Sequence, residues 1–279
     1  MKSMEGRLPR AVVAVAVGLL LTGCQVGGSG DALSATELLS ASVESMKEAD
    51  SARVAIEMTG PGLQGGKDLH VSGSGETSFG SHRAHFTYDF SDVAGTSDAT
   101  IEIIVDGLMV YMESPAFQSF LPAGKEWISL NLEKAAALNG TPLESLKTLA
   151  TSDPTSSMKY LEAVIADDTK KVGDERVRGV DTTHLHVVVD LDKASELAEP
   201  EQRPALDQLR QAFGSSRLPL DVWIDEDNRL RAEELNVPAQ ETGGISSLRF
   251  ELYDYGVEVD TPSPPHSQTV DALKDLLGR

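Results

Sequence analysis

Residues 183–191 carry the pattern that most limits what this chain can fold into. Leu185, Val187, Val189 and Leu191 fall on one side of an extended backbone, and His184, His186 and Asp190 fall on the other. A period of two means a strand with one apolar and one wetted face. The same alternation sets Val54, Ile56 and Met58 against Ala55, Glu57 and Thr59 over residues 51–59. Further strands are expected over 69–79, 83–90, 99–105, 108–113, 167–177, 218–225, 229–237 and 246–255. Asp106-Gly107 is the clearest two-residue hairpin signal, and Arg178-Gly179-Val180-Asp181 turns the chain in the same way. Neighbouring strands joined by tight turns make an antiparallel sheet, and a sheet with one aliphatic face needs a cover.

Helices supply that cover. Ser34-Ala35-Thr36-Glu37 has the form of a capping box, followed by Leu38, Leu39, Val43 and Met46 at helical spacing. Asp153-Pro154 opens a second helix whose apolar face includes Met158, Leu161 and Ile165. Short helical pieces are expected over 130–149, and a helix over 193–213 interrupted near Pro200 and Pro204. Residues 115–127, with Phe117, Phe120, Leu121 and Pro122, read as a loop. The segment 261–279, with Pro262, Pro264 and Pro265, reads as a tail. The fold class is α+β: an antiparallel sheet with helices segregated to one face. Candidates for that face are Val54, Ile56, Met58, Ile101, Ile103, Val105, Leu185, Val187, Val189, Leu220, Val222, Ile224, Leu248 and Phe250, with Met158, Leu161 and Ile165 above them. Pattern alone leaves open whether they close into a packed core or line a cavity.

The beginning of the chain belongs to no fold. Lys2, Arg7 and Arg10 precede an apolar run over residues 11–21, a charged and an apolar region of secretory-signal proportions. The run ends in Leu21-Thr22-Gly23-Cys24, which resembles the lipobox of bacterial lipoproteins; the other reading is an ordinary signal followed by an incidental cysteine. The lipobox implies residues 1–23 as signal peptide, Cys24 as the lipidated first residue of the mature chain, and residues 24–33 as a Gly-containing tether. A multiply acylated Cys24 would hold the protein at the outer face of the cytoplasmic membrane. Cys24 is the sole cysteine, so no thiol remains for a disulfide and the fold must stand on its core.

Charge excludes one class of partner. The chain has 24 Lys+Arg against 44 Asp+Glu, a net charge of −20, which leaves no basic patch for nucleic acid. Catalytic chemistry finds no foothold either. Gly73-Ser74-Gly75 lies inside an expected strand rather than at a nucleophile elbow. His184 and His186 share a face but have no evident third metal ligand; His70, His82 and His85 are in other hairpins. Asp225-Glu226-Asp227-Asn228 begins like a calcium loop, yet Arg229 stands where a ligand belongs. These features read as a wetted strand face and a hairpin turn. The sequence indicates neither an enzyme, nor a metal, nor a cofactor.

Residues 172–185, from Val172-Gly173-Asp174-Glu175 to Thr183-His184-Leu185, resemble a hairpin of the LppX/LprA/LprF/LprG family of actinobacterial lipoproteins. Leu218-Pro219-Leu220-Asp221-Val222-Trp223-Ile224-Asp225, followed by Arg229-Leu230, is similar to that family's Trp-containing strand. Asp106-Gly107, Tyr111 and Trp127 fit the first half. The resemblance covers most of residues 34–260, taken as a single domain. It implies a LolA-like fold, a curved antiparallel half-barrel with helices over its concave face, and a lipid or lipoglycan as ligand, carried or chaperoned in the cell envelope. An envelope transporter would be a further partner, and Phe117, Phe120 and Leu121 a portal. The same scaffold also serves envelope sensors, so a non-carrier interaction lipoprotein is the alternative.

Overall fold

The computed structural model describes residues 34–61, 68–91, 99–139, 169–198, 203–239 and 244–276. Cys24, the signal and tether before residue 34, and Met158, Leu161 and Ile165 lie outside the described residues. The compact unit Leu33–Arg279 holds everything below.

Ser34 caps helix α1 (Ala35–Ala49), and both halves of the capping box form: Glu37 N–H donates to Ser34 Oγ at 3.2 Å, and Ser34 N–H to the Glu37 carboxylate at 2.7 Å. Asp50, at φ 60°, ends the helix in the left-handed region and sends the chain straight into β1 (Ser51–Gly60). There follow β2 (Leu69–Ser78), β3 (Arg83–Asp89), β4 (Thr100–Asp106), β5 (Met109–Glu113), β6 (Trp127–Asn131) and α2 (Leu132–Asn139). The second half holds β7 (Lys170–Val177), β8 (Val180–Asp190), α3 (Leu191–Leu197), α4 (Arg203–Phe213), β9 (Arg217–Asp225), β10 (Leu230–Ala239), β11 (Gly244–Tyr253) and the short β12 (Thr269–Asp271). Among the described residues no helix is long and apolar enough to cross a membrane.

All the described strands join one open sheet, in the order β12-β6-β5-β4-β3-β2-β1-β11-β10-β9-β8-β7. Each pairing is antiparallel except β12 with β6. The halves of the chain are fused at the centre, where β1 pairs with β11 from Arg53↔Tyr253 to Thr59↔Ser247. The expected α+β architecture, an antiparallel sheet with helices packed on it, is therefore what the chain adopts.

Several local expectations shift. The β4–β5 turn is Gly107-Leu108 rather than Asp106-Gly107, because Asp106 pairs with Met109 and Gly107 alone takes a positive φ. That suits a II′ turn, which needs glycine at its first position. Arg178 and Gly179 both take positive φ, as a I′ turn requires. The stretch expected as a loop holds a 3-10 turn, Pro115–Ser119, with Ser114 as its cap, and its last residue, Trp127, opens β6. Leu130 and Asn131, expected in helix, complete that strand, whose five residues are too few for a period to show. Asp190 caps α3, so Leu191 is the first residue of a helix rather than the end of a strand. The Pro-containing C-terminal segment supplies β12, and Lys125 Nζ donates to the Thr269 carbonyl at 2.9 Å to hold it.

The register gathers apolar side chains from both halves of the chain on one face of the sheet, and α1 lies on half of it. Leu39, Val43 and Met46 of α1 pack with Leu185, Val187, Leu220, Val222, Ile224, Leu230 and Leu252. Burial of each contributes about 1.5–3 kcal/mol. A second cluster, Val54, Ile56, Ala84, Phe86, Val105, Val110 and Leu132, lies over the other half, and Phe250 touches both.

Candidate functional site

The cross-strand pairs place the described candidates on a single face. Ile56 pairs with Phe250 and Met58 with Leu248; Phe86 pairs with Ile103 and Tyr88 with Ile101; Leu185 pairs with Val222 and Val187 with Leu220. Fourteen residues drawn from five strands thus share the inner surface, as period-two reading implies. They do not share an environment. Val54, Ile56, Val105, Leu185, Val187, Val189, Leu220, Val222 and Ile224 are buried. Met58, Ile101, Ile103, Leu248 and Phe250 are only half-buried.

The half-buried residues gather at one end of the sheet. Met58 sits toward the C-terminal end of β1, Ile101 and Ile103 in the first four residues of β4, and Leu248 and Phe250 in the middle of β11, with Met112 of β5 and Tyr88 near the C-terminal end of β3 beside them, both half-buried too. Neither Met112 nor Tyr88 was among the candidates, although each continues the alternation of its strand. Segment 114–126 leaves β5 at this same end. In it the Phe117 and Phe120 rings stand 5.6 Å apart, Leu121 is half-buried and Phe120 is 56% exposed. One half of the inner face is therefore packed beneath α1, while this end of the face keeps aliphatic, thioether and aromatic groups half-buried.

Glycines make room for that surface. Gly73 and Gly75 pair with Tyr88 and Phe86, and a Cβ on Gly73 would stand 2.7 Å from the Tyr88 ring. The two rings lie across bare strand backbone, with centroids 5.9 Å apart, and Phe90 continues the row 6.2 Å from Tyr88.

One inner residue breaks the apolar pattern. Glu233 pairs with Phe250 on one side and Val222 on the other. Its Oε2 is buried and finds no hydrogen-bond partner among the described residues. Burial alone pushes the carboxyl up to about 7, from an ordinary 4.5. Sequence inspection passed over it because Glu233-Glu234 reads as a wetted pair; only the register shows that Glu234 faces outward and Glu233 inward. The consequence for stability has a definite sign. Between about pH 4.5 and about 7 the folded chain keeps a proton that the unfolded chain has released, so stability falls as pH rises through that window. Glu233→Gln is expected to remove a decline on the order of 2 kcal/mol between about pH 5 and about pH 8. Denaturant melts of both proteins at the two pH values check this; equal declines would show that Glu233 is not the group responsible.

The outer face is charged and interlocked. The His184 ring stacks on Trp223 at 4.4 Å, and both ring nitrogens of His184 face carboxylates, Glu175 and Asp221, at 3.0 Å. Only a doubly protonated ring donates to both. His186 Nδ1 meets the same Asp221 oxygen at 3.0 Å. Trp223 Nε1–H donates to Glu175 at 2.9 Å; this bond and then the one from His184 hold the Glu175 carboxyl below its usual range. Arg249 lies 4.6 Å from the Trp223 ring centre and pairs with Glu234 and Glu251, each at 3.0 Å. The two histidines thus bind carboxylates of their own sheet, and among the described residues no group of three or more His, Cys, Asp or Glu could hold a metal ion.

No family model matches the chain. An uncharacterized 31.2 kDa protein from the rplA-rplJ intergenic region of Streptomyces griseus is 34% identical over 158 residues, which is 55% of this chain and 50% of that one. A Streptomyces coelicolor protein provisionally named a lipoprotein is 26% identical over 155 residues, covering 55% of this chain and 45% of its own length. The chain spans about half the length of these curated relatives. Among solved structures, the Mycobacterium tuberculosis lipoprotein LppX superposes with a TM-score of 0.51 and 16% identity, over 81% of this chain and 97% of LppX. The chain has the LppX fold. The family-like sequence at residues 172–185 and 218–225 maps onto β7, β8 and β9 of that fold. In it Trp223 is the hub of the outer-face network, and Asp225 is the carboxylate that closes the following turn.

Proposed function

We propose that this chain is a lipoprotein anchored through acylated Cys24 on the outer side of the cytoplasmic membrane, and that it carries or chaperones an acyl lipid. The acyl chains would lie against Met58, Ile101, Ile103, Leu248 and Phe250, with Phe117, Phe120 and Leu121 beside the entrance. One observation carries the reading: large apolar side chains remain half-buried on the inner face of a sheet whose other half is closed by a helix. Apolar groups left open inside a fold mark a binding surface, because a finished core would cover them. Burial of acyl chains at about 0.8 kcal/mol per CH₂ makes such a cargo energetically ample. The fold shared with LppX, itself a lipoprotein, is in keeping with it.

The test is organic extraction of the protein purified from its native host, with native mass spectrometry of the same sample. A lipid present in stoichiometric amount is expected. Ile103→Arg and Leu248→Arg, each placing a charge on the open part of the face, are expected to lower the lipid content at least tenfold with the circular dichroism unchanged. A folded wild-type protein that holds no lipid, and takes none up on titration, would count against the carrier role and favour an envelope sensor. Val187 is a poor site for such a test: it is 0% exposed beneath α1, so a larger residue there would disturb the core.

A further inference from the structure

We propose that Glu233 is the polar anchor of the inner face and that it selects acyl lipids bearing a free hydroxyl group. The proposal rests on the lipid-binding reading above and names the chemistry of the cargo.

Glu233 does not reach the inner face through a slipped register. Its neighbour Glu234 bonds Arg249 on the outer face, and the pairings on both sides of β10 agree. The inner positions flanking it are Leu220, Val222 and Ile224 on β9 and Leu248, Phe250 and Leu252 on β11. Of these, Leu248 and Phe250 belong to the open part of the face. Its nearest arginine in sequence on β10, Arg231, bonds Asp225 at 2.6 Å and so offers it no counter-charge. A carboxyl oxygen that is buried and unpartnered costs stability, and a leucine at this position would fit the surface better. A ligand group that meets Oε2 would offset that cost.

The class of partner follows from what a buried carboxyl can accept at least expense. A lipid ammonium would bring a second charge out of water, at several kcal/mol for its desolvation. A phosphate offers acceptors and negative charge, which a carboxylate repels. A hydroxyl both donates and accepts, so it satisfies the carboxyl in either protonation state and adds no charge. Beside Leu248 and Phe250, that hydroxyl belongs at the junction of a polar head with acyl chains, as in a diacylglycerol.

The experiment uses the full chain in phosphatidylcholine vesicles containing a diacylglycerol with a diazirine on one acyl tail. Irradiation marks the residues lining the site, and peptide mass spectrometry locates the adducts. Unlabelled 1,2-dioleoylglycerol and its 3-O-methyl ether, which keeps both acyl chains and lacks only the O–H, then compete for labelling. With the wild-type chain, the free alcohol is expected to compete at a tenfold or greater lower mole fraction than the ether, equivalent to about 1.4 kcal/mol. Glu233→Leu is expected to label as well as wild type and to make the two competitors equal. Glu233→Gln, which retains a donor and an acceptor, is expected to keep part of the preference. Equal competition in the wild type, or an undiminished preference in Glu233→Leu, would overturn the role of Glu233 while adducts on strands β1, β4 and β11 upheld lipid binding. Absence of adducts on those strands would overturn both.

Discussion

Gly75→Ala is expected to lose more than about 3 kcal/mol of stability, beyond the usual range for overpacking a core with one methyl group. The Cβ added at Gly75 would stand 2.1 Å from the His85 carbonyl oxygen, 2.5 Å from Phe86 Cδ1 and 2.8 Å from Phe86 Cα. Two of those atoms are backbone of β3, hydrogen-bonded to β2 in the interior of the sheet, so they cannot withdraw without opening the ladder. The Phe86 ring is 1% exposed and has nowhere to turn. Gly173→Ala is the control. No atom lies within 4 Å of its added Cβ and its φ is not in the positive region, so the change should fall within about 1 kcal/mol of wild type, on the stabilising side. Urea melts of the two variants check the contrast. Similar midpoints would mean that β2 and β3 are not packed as closely as described here.

Asp225→Ala is expected to cost about 3 kcal/mol, which lowers the melting temperature by roughly 6–12 °C for a domain of this size. The Asp225 side chain is 2% exposed and works as a three-way acceptor. Its Oδ1 takes the backbone N–H of Arg229 at 2.8 Å and of Asp227 at 3.0 Å, and its Oδ2 takes Arg231 Nε at 2.6 Å. Its own backbone closes the same turn, since Asp225 N–H donates to the Arg229 carbonyl and its carbonyl accepts from Asn228 N–H, both at 3.0 Å. The alanine variant strands two backbone donors and a mostly buried guanidinium that also lies 5.3 Å from the Tyr255 ring centre. Asp225→Asn retains an acceptor for the backbone but turns an amide toward Arg231 or loses it, and is expected to fall between the two. Thermal melts read at the tryptophan emission would follow it, because Trp223 is two residues away on the same strand. An alanine variant as stable as wild type would show that the turn holds without its carboxylate.

Such residues show why part of this molecule was legible early. The Ser34 capping box, the alternation through Val54, Ile56 and Met58, and the turn at Arg178 and Gly179 are local signals. Each is complete within a few residues; the cap and the alternation appear where they were expected, and the turn, expected over 178–181, closes within Arg178 and Gly179, so that Val180 and Asp181 already belong to β8. The inner face itself was legible for the same reason: period two assigns every second residue of a strand to one side, whatever that strand pairs with. Trp127 and Leu130 were misplaced because a five-residue strand supplies too little pattern to set against a neighbouring helix signal.

What the sequence determined by itself was the set of elements, their faces and their turns, because those depend on backbone stereochemistry and short-range spacing. Tertiary structure alone decided three further things. It joined β1 to β11 across nearly the whole chain, so that two sets of hairpins became one sheet. It laid α1 on Val187 and Val222 and left Ile103 and Leu248 half-open, turning one aliphatic face into a sealed core and an accessible surface. And it turned Glu233 toward the apolar side, with no partner for Oε2 among the described residues. Burial and pairing between distant strands are properties of what lies opposite a residue, and its neighbours in sequence do not encode that.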